Sequence, residues 1–424
     1  MSSSCNKRLR LINKIMQQLL PSIQKPLLKR FNDPVEKCRE LAILIIKKFF
    51  QECDDLTISF PYIFPVLVEK LAASDLEGTD NMPDVMKPPP SQMPKVISSP
   101  PEPSEEVRLK IAEIVTLMIE KTISDCFRAY LDDLVNILRT LAMDPYGEVI
   151  REACDAYYYL CKGDTEILFH FTVIMGKSTF LALTHKHAKV RCAGLKALNA
   201  IMYCGAWKYT VDIFEALIGF RDPNVVPIKD FFEASIKINY FARFVDDKST
   251  LVRETFYKTM ANWLLKLPDK VDHEGRVIPY MLSALNDPND NIQDLAFELL
   301  EEMGLDYEER EEEKIRDQKQ YALDAEWTNN GEFVDLPLPK PFKHRPRLGA
   351  RNVIRGYVRR YLKAIYKELS DWILENRKRA ATLLLCLIIY TEDYITQFLD
   401  HLLLSLYKAV LEKDDLVLRD KLEI

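Results

Sequence analysis

Glycine is scarce in this chain. Only 12 of the 424 residues are glycine, about 3% where soluble proteins average about 7%. Phosphate-binding loops and dinucleotide fingerprints need clustered glycines, and these are dispersed, so the sequence offers no such loop. Leucine, alanine, isoleucine, lysine and glutamate are abundant instead. This balance favours helices and disfavours a protein built from sheets.

Paired cysteines, a long apolar run and a large net charge are also lacking. The nine cysteines form no Cys-x-x-Cys pair, and Cys38, Cys154, Cys192 and Cys386 lie in apolar stripes, which suggests small buried residues in a reducing compartment. The longest apolar run, 380–390, is too short for a bilayer, and the N-terminus lacks the features of a secretory signal. A net charge of −6 favours neither nucleic acid nor an anionic membrane. We therefore expect a soluble cytoplasmic protein.

The chain does contain a short pattern that recurs at intervals of about 40 residues. An apolar helical stripe leads to an Asp or Asp-Pro turn, and six or seven residues later a basic or amide residue opens a second apolar stripe. The residues assigned to this repeated ladder are Asp33, Arg39, Arg108, Asp144, Arg151, Arg191, Asp247, Arg253 and Asp287. An amphipathic helix pair cannot bury both stripes alone, so neighbouring pairs must stack. The predicted fold is an all-α solenoid, a superhelical array of antiparallel helix pairs.

Breaks in the period divide the chain into three parts. Residues 1–305 carry the first repeats, with a proline-rich insertion at 76–103 that we expect to be disordered, because proline fixes φ and removes backbone donors. Residues 306–346 begin with an acidic run and continue into a proline-rich stretch, which predicts an irregular connection. Residues 347–424 resume the repeats, and the array is expected to be incomplete at its C-terminus.

Two groups of residues are assigned to the helix core by their spacing. In the second helix of the first pair, the set predicted to fill one face is Cys38, Leu41, Ala42, Ile45 and Ile46. Tyr257, Trp263 and Trp372 sit at helical spacing among apolar neighbours, where an aromatic ring is more often part of the core than of a ligand site.

Potential metal ligands and nucleophiles have no convincing arrangement. His185 and His187 are close but lack a neighbouring Cys or carboxylate, so we interpret them as turn residues. The glutamates within 308–313 lack the Asp and Gly placements of a calcium loop and are interpreted as a solvated helix end. The sequence thus predicts no catalytic residue, no metal or cofactor site, and no small-molecule substrate.

The strongest local charge is the segment 340–363, which contains many basic residues and no acidic one. Its candidate partner-binding residues are Arg345, Arg347, Arg351, Arg355 and Arg359, of which the last three step by four along one helix face. One interpretation is a docking strip for an acidic partner. The other is that the strip pairs with the acidic run at 306–313 and ties the connection onto the array. Nucleic acid is disfavoured, because no recognisable module interleaves stacking aromatics with these cations.

Longer blocks of sequence resemble a known family. They are ANWLLKLPDK at 261–270, the block at 277–318 beginning VIPYMLSALNDPND, and RPRLGARNVIRGYVRRYLKAIYKELSDW at 345–372. The repeats resemble HEAT repeats, in which the turn Asp and the second-helix Arg of successive layers form a ladder of polar contacts. The longer blocks resemble the HEAT-repeat axonemal dynein preassembly factors.

That resemblance implies an all-α, HEAT-like α-solenoid without catalytic activity or cofactor. It implies a scaffold that acts in the cytoplasm on axonemal dynein chains, together with chaperones and other assembly factors, to build the outer and inner arms of motile cilia or flagella. Two alternatives stay open: a karyopherin- or coat-like transport adaptor, and a phosphatase-type regulatory scaffold.

Overall fold

A computed structural model describes residues 2–73, 100–163, 165–205, 208–218, 239–320, 338–371 and 373–411. All regular structure within these residues is helical. The chain forms two compact units, Met1–Arg243 and Phe244–Ile424. The prediction of an all-α fold is confirmed.

The first unit consists of helix pairs. Its helices are α1 (Ser2–Lys29), α2 (Glu36–Glu52), α3 (Phe60–Leu71), α4 (Glu105–Lys121), α5 (Leu131–Ala142), α6 (Gly147–Leu160), α7 (Thr172–Ser178), α8 (Phe180–Leu183), α9 (Ala188–Met202) and α10 (Lys208–Ile218). The second helices α2, α4, α6 and α9 pack side by side in one row, and the first helices α1, α3, α5 and α7 form the other. This two-row arrangement is that of an α-solenoid.

Local sequence determines where these helices begin and which face they bury. At the start of α4 the Ser104 hydroxyl accepts a hydrogen bond from the amide of Val107, and Glu105 and Glu106 occupy the positive N-terminal turn. Short 3-10 turns at 30–32, 57–59, 124–130 and 166–171 lead into the neighbouring helices.

The predicted buried face of α2 is partly wrong. Leu41 and Ile45 are 48% and 42% exposed, and Cys38 is exposed as well. The buried set is Arg39, Ala42, Ile43, Ile46 and Phe50. Because Arg39 must face the preceding turn, the residues three, four and seven positions later face inward with it.

The second unit repeats the same organisation. After α11 (Tyr240–Val245), which lies at the boundary, come α12 (Thr250–Lys266), α13 (Lys270–Ala284), α14 (Asp290–Arg310), α15 (Glu312–Gln320), α16 (Leu348–Leu369), α17 (Leu374–Thr391) and α18 (Leu399–Leu411). Helix α16 packs against both α14 and α17. Tyr257 and Trp263 are buried, which confirms their assignment to the core; Trp372 lies outside the described residues.

Helix continues through the acidic run, where the sequence predicts an irregular connection. The α14 helix ends at Arg310, and α15 carries the chain to Gln320. The acidic side chains are tolerated because nearby cations neutralise them: Lys270 Nζ lies 2.6 Å from Asp306 Oδ1 and Arg347 Nη2 lies 3.1 Å from Glu308 Oε2. The segment 338–346 is irregular, whereas 321–337 and 412–424 lie outside the described residues.

Two stretches reach a mean hydropathy of 1.3, Glu166–Leu183 and Leu374–Ala409. Neither is one unbroken helix. The first joins a 3-10 turn to α7 and α8, and the second is interrupted at Glu392 between α17 and α18. Apolar core helices of a repeat array pass the same compositional test.

Candidate functional site

One hydrogen-bonded turn recurs before the second helices. At the first, the amide of Val35 donates to Asp33 Oδ1 at 3.0 Å, and Arg39 Nη1 donates to the Asp33 carbonyl at 3.0 Å. The same pair of contacts joins Glu102 with Arg108, His185 with Arg191, Asp247 with Arg253, Asp287 with Gln293, and Asp371 with Arg377. The residue six positions after the turn residue therefore clamps the turn, which satisfies carbonyls that a helix start would otherwise leave open.

Some of these arginines also reach the turn of the next layer. Arg108 donates to both carboxylate oxygens of Asp144 at 2.6 and 3.1 Å, and each side chain is only 4% exposed. Arg253 holds Asp287 in the same bidentate way at 2.7 and 3.0 Å. Such charge-assisted pairs fix the register of one helix pair on the next.

Arg151 does not belong to this ladder. It lies seven residues after Asp144, one position beyond the clamp position, which Ile150 fills with a buried apolar side chain. A one-residue step turns a side chain by about 100° around the helix. Arg151 therefore faces outward and pairs with Glu148 and Asp155 of its own helix, both at 2.9 Å.

The predicted ladder leaves out three turn residues, Glu102, His185 and Asp371. Glu102, assigned above to the disordered insertion, is fully buried and pairs with Arg39 at 2.8 Å and Lys70 at 2.7 Å. Burial opposes its ionisation, but the hydrogen bonds from Lys70 and Arg39 outweigh that effect and lower the pKa of Glu102. The Glu-Pro dipeptide six residues before Arg108 was the available signal. The rest of the insertion, 74–99, lies outside the described residues.

His185 is the second. Its Nδ1 accepts the amide of His187 at 3.2 Å, so it replaces the turn Asp, and the interpretation of His185 as a turn residue is confirmed. Burial, together with the positive charges of His187, Lys186 and Arg191, lowers the pKa of His185. The neutral ring keeps the lone pair that the turn requires.

The docking-strip interpretation is wrong for Arg351. Its side chain is 2% exposed, donates from Nε to the Pro346 carbonyl at 3.0 Å, and places Nη1 2.7 Å from Glu392 Oε2. It is thus a ladder arginine. No external partner can reach it without opening the array.

Arg345 and Arg355 converge on the same carboxylate. Arg345 donates to both oxygens of Glu392 at 2.6 and 2.8 Å, and Arg355 donates to one at 3.0 Å. Burial opposes ionisation of Glu392, but the bond from Arg345 and the charges of Arg351, Arg345 and Arg355 lower its pKa. The backbone of Glu392 has φ 50°, a region that favours glycine. The three arginines stabilise this costly conformation, and α17 ends there.

The second interpretation, that the basic segment pairs with the acidic run at 306–313, applies to Arg347. This residue contacts Glu308, whose other oxygen accepts the amide of Gly349 at 3.0 Å. The amide of Arg347 itself donates to Glu301 Oε1 at 2.9 Å. Glu308 is therefore part of the α14–α16 contact, although the sequence suggests a solvated helix end.

The contact between α14 and α16 is close enough to require glycine. A Cβ atom at Gly349 would overlap the carbonyl oxygen of Gly304, and one at Gly304 would lie 2.6 Å from the amide nitrogen of Ala350. Gly356, two turns further along α16, has no atom within 4 Å of its Cβ position. The start and the middle of α16 are therefore very differently constrained.

Beyond Arg355 the cations of α16 face outward. Arg359, Arg360, Lys363 and Lys367 are exposed, and we refer to them as the basic face. Among the residues that the structure describes, none of the four forms an ion pair. Arg359 is the only predicted docking residue in this set.

Stacked antiparallel helix pairs with a polar ladder through their turns define a HEAT-type α-solenoid. Two family profiles match this chain: one described as "Dynein axonemal assembly factor 5-like, TPR repeats" over 2–83, 94–218 and 235–318, and one described as "Dynein axonemal assembly factor 5, HEAT-repeat domain" over 338–424. The chain belongs to the dynein axonemal assembly factor 5-like family.

Curated relatives carry the same description. Dynein axonemal assembly factor 5 of Xenopus laevis is 26% identical over 414 residues, which cover 96% of this chain and 42% of that protein. The Homo sapiens protein is 25% identical over 393 residues, covering 93% and 40%. The chain therefore spans about two fifths of the length of these relatives. Among solved structures, Kap121p bound to RanGTP aligns with a TM-score of 0.46 at 10% identity, over 93% of this chain and 33% of that one.

Proposed function

We propose that the chain is a non-catalytic scaffold for the cytoplasmic preassembly of axonemal dynein arms, which motile cilia and flagella need. The observation that supports this function is the family match over most of the chain. The partners proposed with it are axonemal dynein chains, chaperones and other assembly factors.

An extended repeat surface suits this task better than a pocket. In the first unit the second helices stand in one row, and their outward side chains include the exposed pair Leu41 and Ile45 and the cross-helix ion pair of Lys47 with Glu113 at 2.7 Å. A preformed mixed surface gains affinity from area rather than from a single site. Such a surface can hold a client that is still folding.

Affinity purification from ciliating cells tests the proposal. We expect axonemal dynein chains and chaperones to be recovered with the full chain, and depletion of the protein to remove dynein arms from axonemes. Retention of both arms after complete loss of the protein would overturn the proposal. Recovery of a small GTPase and transport cargo instead would support the adaptor alternative.

A further inference from the structure

The basic face of α16 has a regular geometry. Its members lie at positions 359, 360, 363 and 367, so they occupy about 100° of the helix circumference. Arg359, Lys363 and Lys367 step by four, which places neighbouring charges about 6 Å apart along a strip of about 12 Å.

The other cations of this region form ion pairs within the chain. Arg345, Arg351 and Arg355 share Glu392, and Arg347 pairs with Glu308. Lys343 lies 3.4 Å from Asp294, and Lys340 lies 4.0 Å from Asp290. The basic face is thus a local excess of positive charge on a chain of net charge −6.

Small residues leave room for a partner on this face. Gly356 lies near the middle of the same arc with open space above its Cα, and exposed Ala364 borders it. A partner backbone can approach α16 closely here, and the longer cations then reach it from both sides.

The positive charge of the basic face is confined to a strip of about 12 Å. A duplex carries a phosphate charge every 1.7 Å or so and extends far beyond that length, so a few cations in a row leave most of its charges unpaired. A short ligand with a few carboxylates at matching intervals pairs all of its charges here.

We propose that the basic face binds a helical acidic segment of a partner protein, with Asp or Glu at i, i+4 and i+8. The three carboxylates repeat at about 6 Å and face Arg359, Lys363 and Lys367 in turn. The inference rests on the proposed scaffold function and gives the chemistry of one client-binding surface.

Direct binding to purified full-length protein tests this. The probe is a fluorescent helical peptide with Glu at i, i+4 and i+8, compared with a peptide that has Gln at those positions, and the readout is anisotropy at low and high salt. Reversing Arg359, Lys363 and Lys367 to Glu should weaken binding at least about tenfold, since each exposed pair contributes modestly and the reversal adds repulsion. Added salt should weaken wild-type binding.

A matched control variant separates the effect of this site from the effect of net charge. The variant Lys248→Glu, Lys266→Glu, Lys408→Glu changes net charge equally at exposed positions of the second unit. Equal affinity of the two triple variants would overturn the proposal, as would equal binding of the Gln peptide. Tighter binding of duplex DNA or anionic vesicles than of the Glu peptide would assign the face to another ligand and also overturn it.

Circular dichroism melting of both variants verifies folding, because Arg359, Lys363 and Lys367 form no ion pair among the residues that the structure describes. Peptide binding without recovery of dynein chains from cells would leave this surface standing and contradict the proposed function. Loss of the preference for the Glu peptide, with dynein chains still recovered from cells, would contradict this surface and leave the proposed function standing.

Discussion

Gly349 and Gly356 lie on one helix in opposite surroundings, so the same substitution should have opposite effects. Ala at 349 must push α16 away from the Gly304 carbonyl, and overpacking of this kind destabilises by about 1–3 kcal/mol. Ala at 356 meets open space and should stabilise the helix by up to about 1 kcal/mol, because alanine loses less backbone entropy than glycine. Thermal melting of the two variants measures both. Equal melting temperatures would contradict the close α14–α16 contact.

Arg108 and Arg151 provide a second pair of matched residues, on adjacent helices of one unit. Arg108→Met leaves the buried carboxylate of Asp144 without its partner, so we expect a loss of about 3–5 kcal/mol. Arg151→Met removes only half-buried pairs within one helix, with Glu148, Glu152 and Asp155, and should cost about 1 kcal/mol or less. Urea denaturation gives both free energies.

A double variant checks the cause of the larger loss. Asp144→Asn removes the uncompensated charge and keeps an oxygen for the amide of Tyr146. Combined with Arg108→Met, it should recover part of the lost stability. If the double variant is no more stable than Arg108→Met alone, the penalty comes from lost packing rather than from a buried unpaired charge.

At the scale of elements, the end of α17 should depend on pH through Glu392. The folded-state pKa of this group lies below its unfolded value, so its contribution to stability is present above the unfolded pKa and is lost as pH falls through the folded one. We therefore expect Glu392→Gln to destabilise the protein at pH 7 and to have less effect at strongly acidic pH. Chemical denaturation of both proteins between pH 7 and pH 3 measures the difference.

Glu152 provides a control, because its contribution to stability should change with pH in the opposite direction. Burial, with the nearby charges of Asp155 and Glu113, raises its pKa despite the hydrogen bond with Thr116 and the charge of Arg151. A raised carboxyl pKa favours the folded state at low pH and loses that contribution as pH rises through the folded value. Glu152→Gln should therefore help stability most near pH 7. The same trend in both variants would contradict these assignments.

The period of the repeats can be predicted from the sequence. The register, meaning which residue of a helix faces the neighbouring layer, cannot always be predicted. An Asp-Pro turn followed by Arg identifies the helix pairs, because turn chemistry and apolar spacing are local properties. Deciding whether Ile150 or Arg151 occupies the clamp position requires knowing which of the two residues faces the next layer. Cys38, Leu41 and Ile45 were misplaced for the same reason.

The basic segment 340–363 shows a second limit of prediction from sequence. Its charge is visible in the sequence, but Glu392, which engages three of its arginines, lies just after the end of α17 and belongs to no motif of its own. Only the packing of α16 on α17 separates buried Arg351 from exposed Arg359. The acidic end of α14 is similar, since its helicity depends on distant cations such as Lys270 and Arg347.

Across the whole molecule, stability should be local, because in a repeat array each layer touches only its neighbours. The chain already divides into the units Met1–Arg243 and Phe244–Ile424. A broken ladder contact in the first should therefore loosen its own layers and leave the second intact.

Hydrogen exchange read by mass spectrometry measures this directly. In Arg108→Met we expect amides of α4, α5 and α6 to lose protection, while those of α12 and α14 stay within a factor of about two of wild type. Arg253→Met should show the converse pattern, since its bidentate contact with Asp287 joins α12 to the turn before α14. Each variant serves as the control for the other, because both remove a buried arginine from the same turn motif. Uniform loss of protection along the chain in either variant would mean that the array unfolds as one cooperative body, in which case a client bound to one unit would stabilise the other equally.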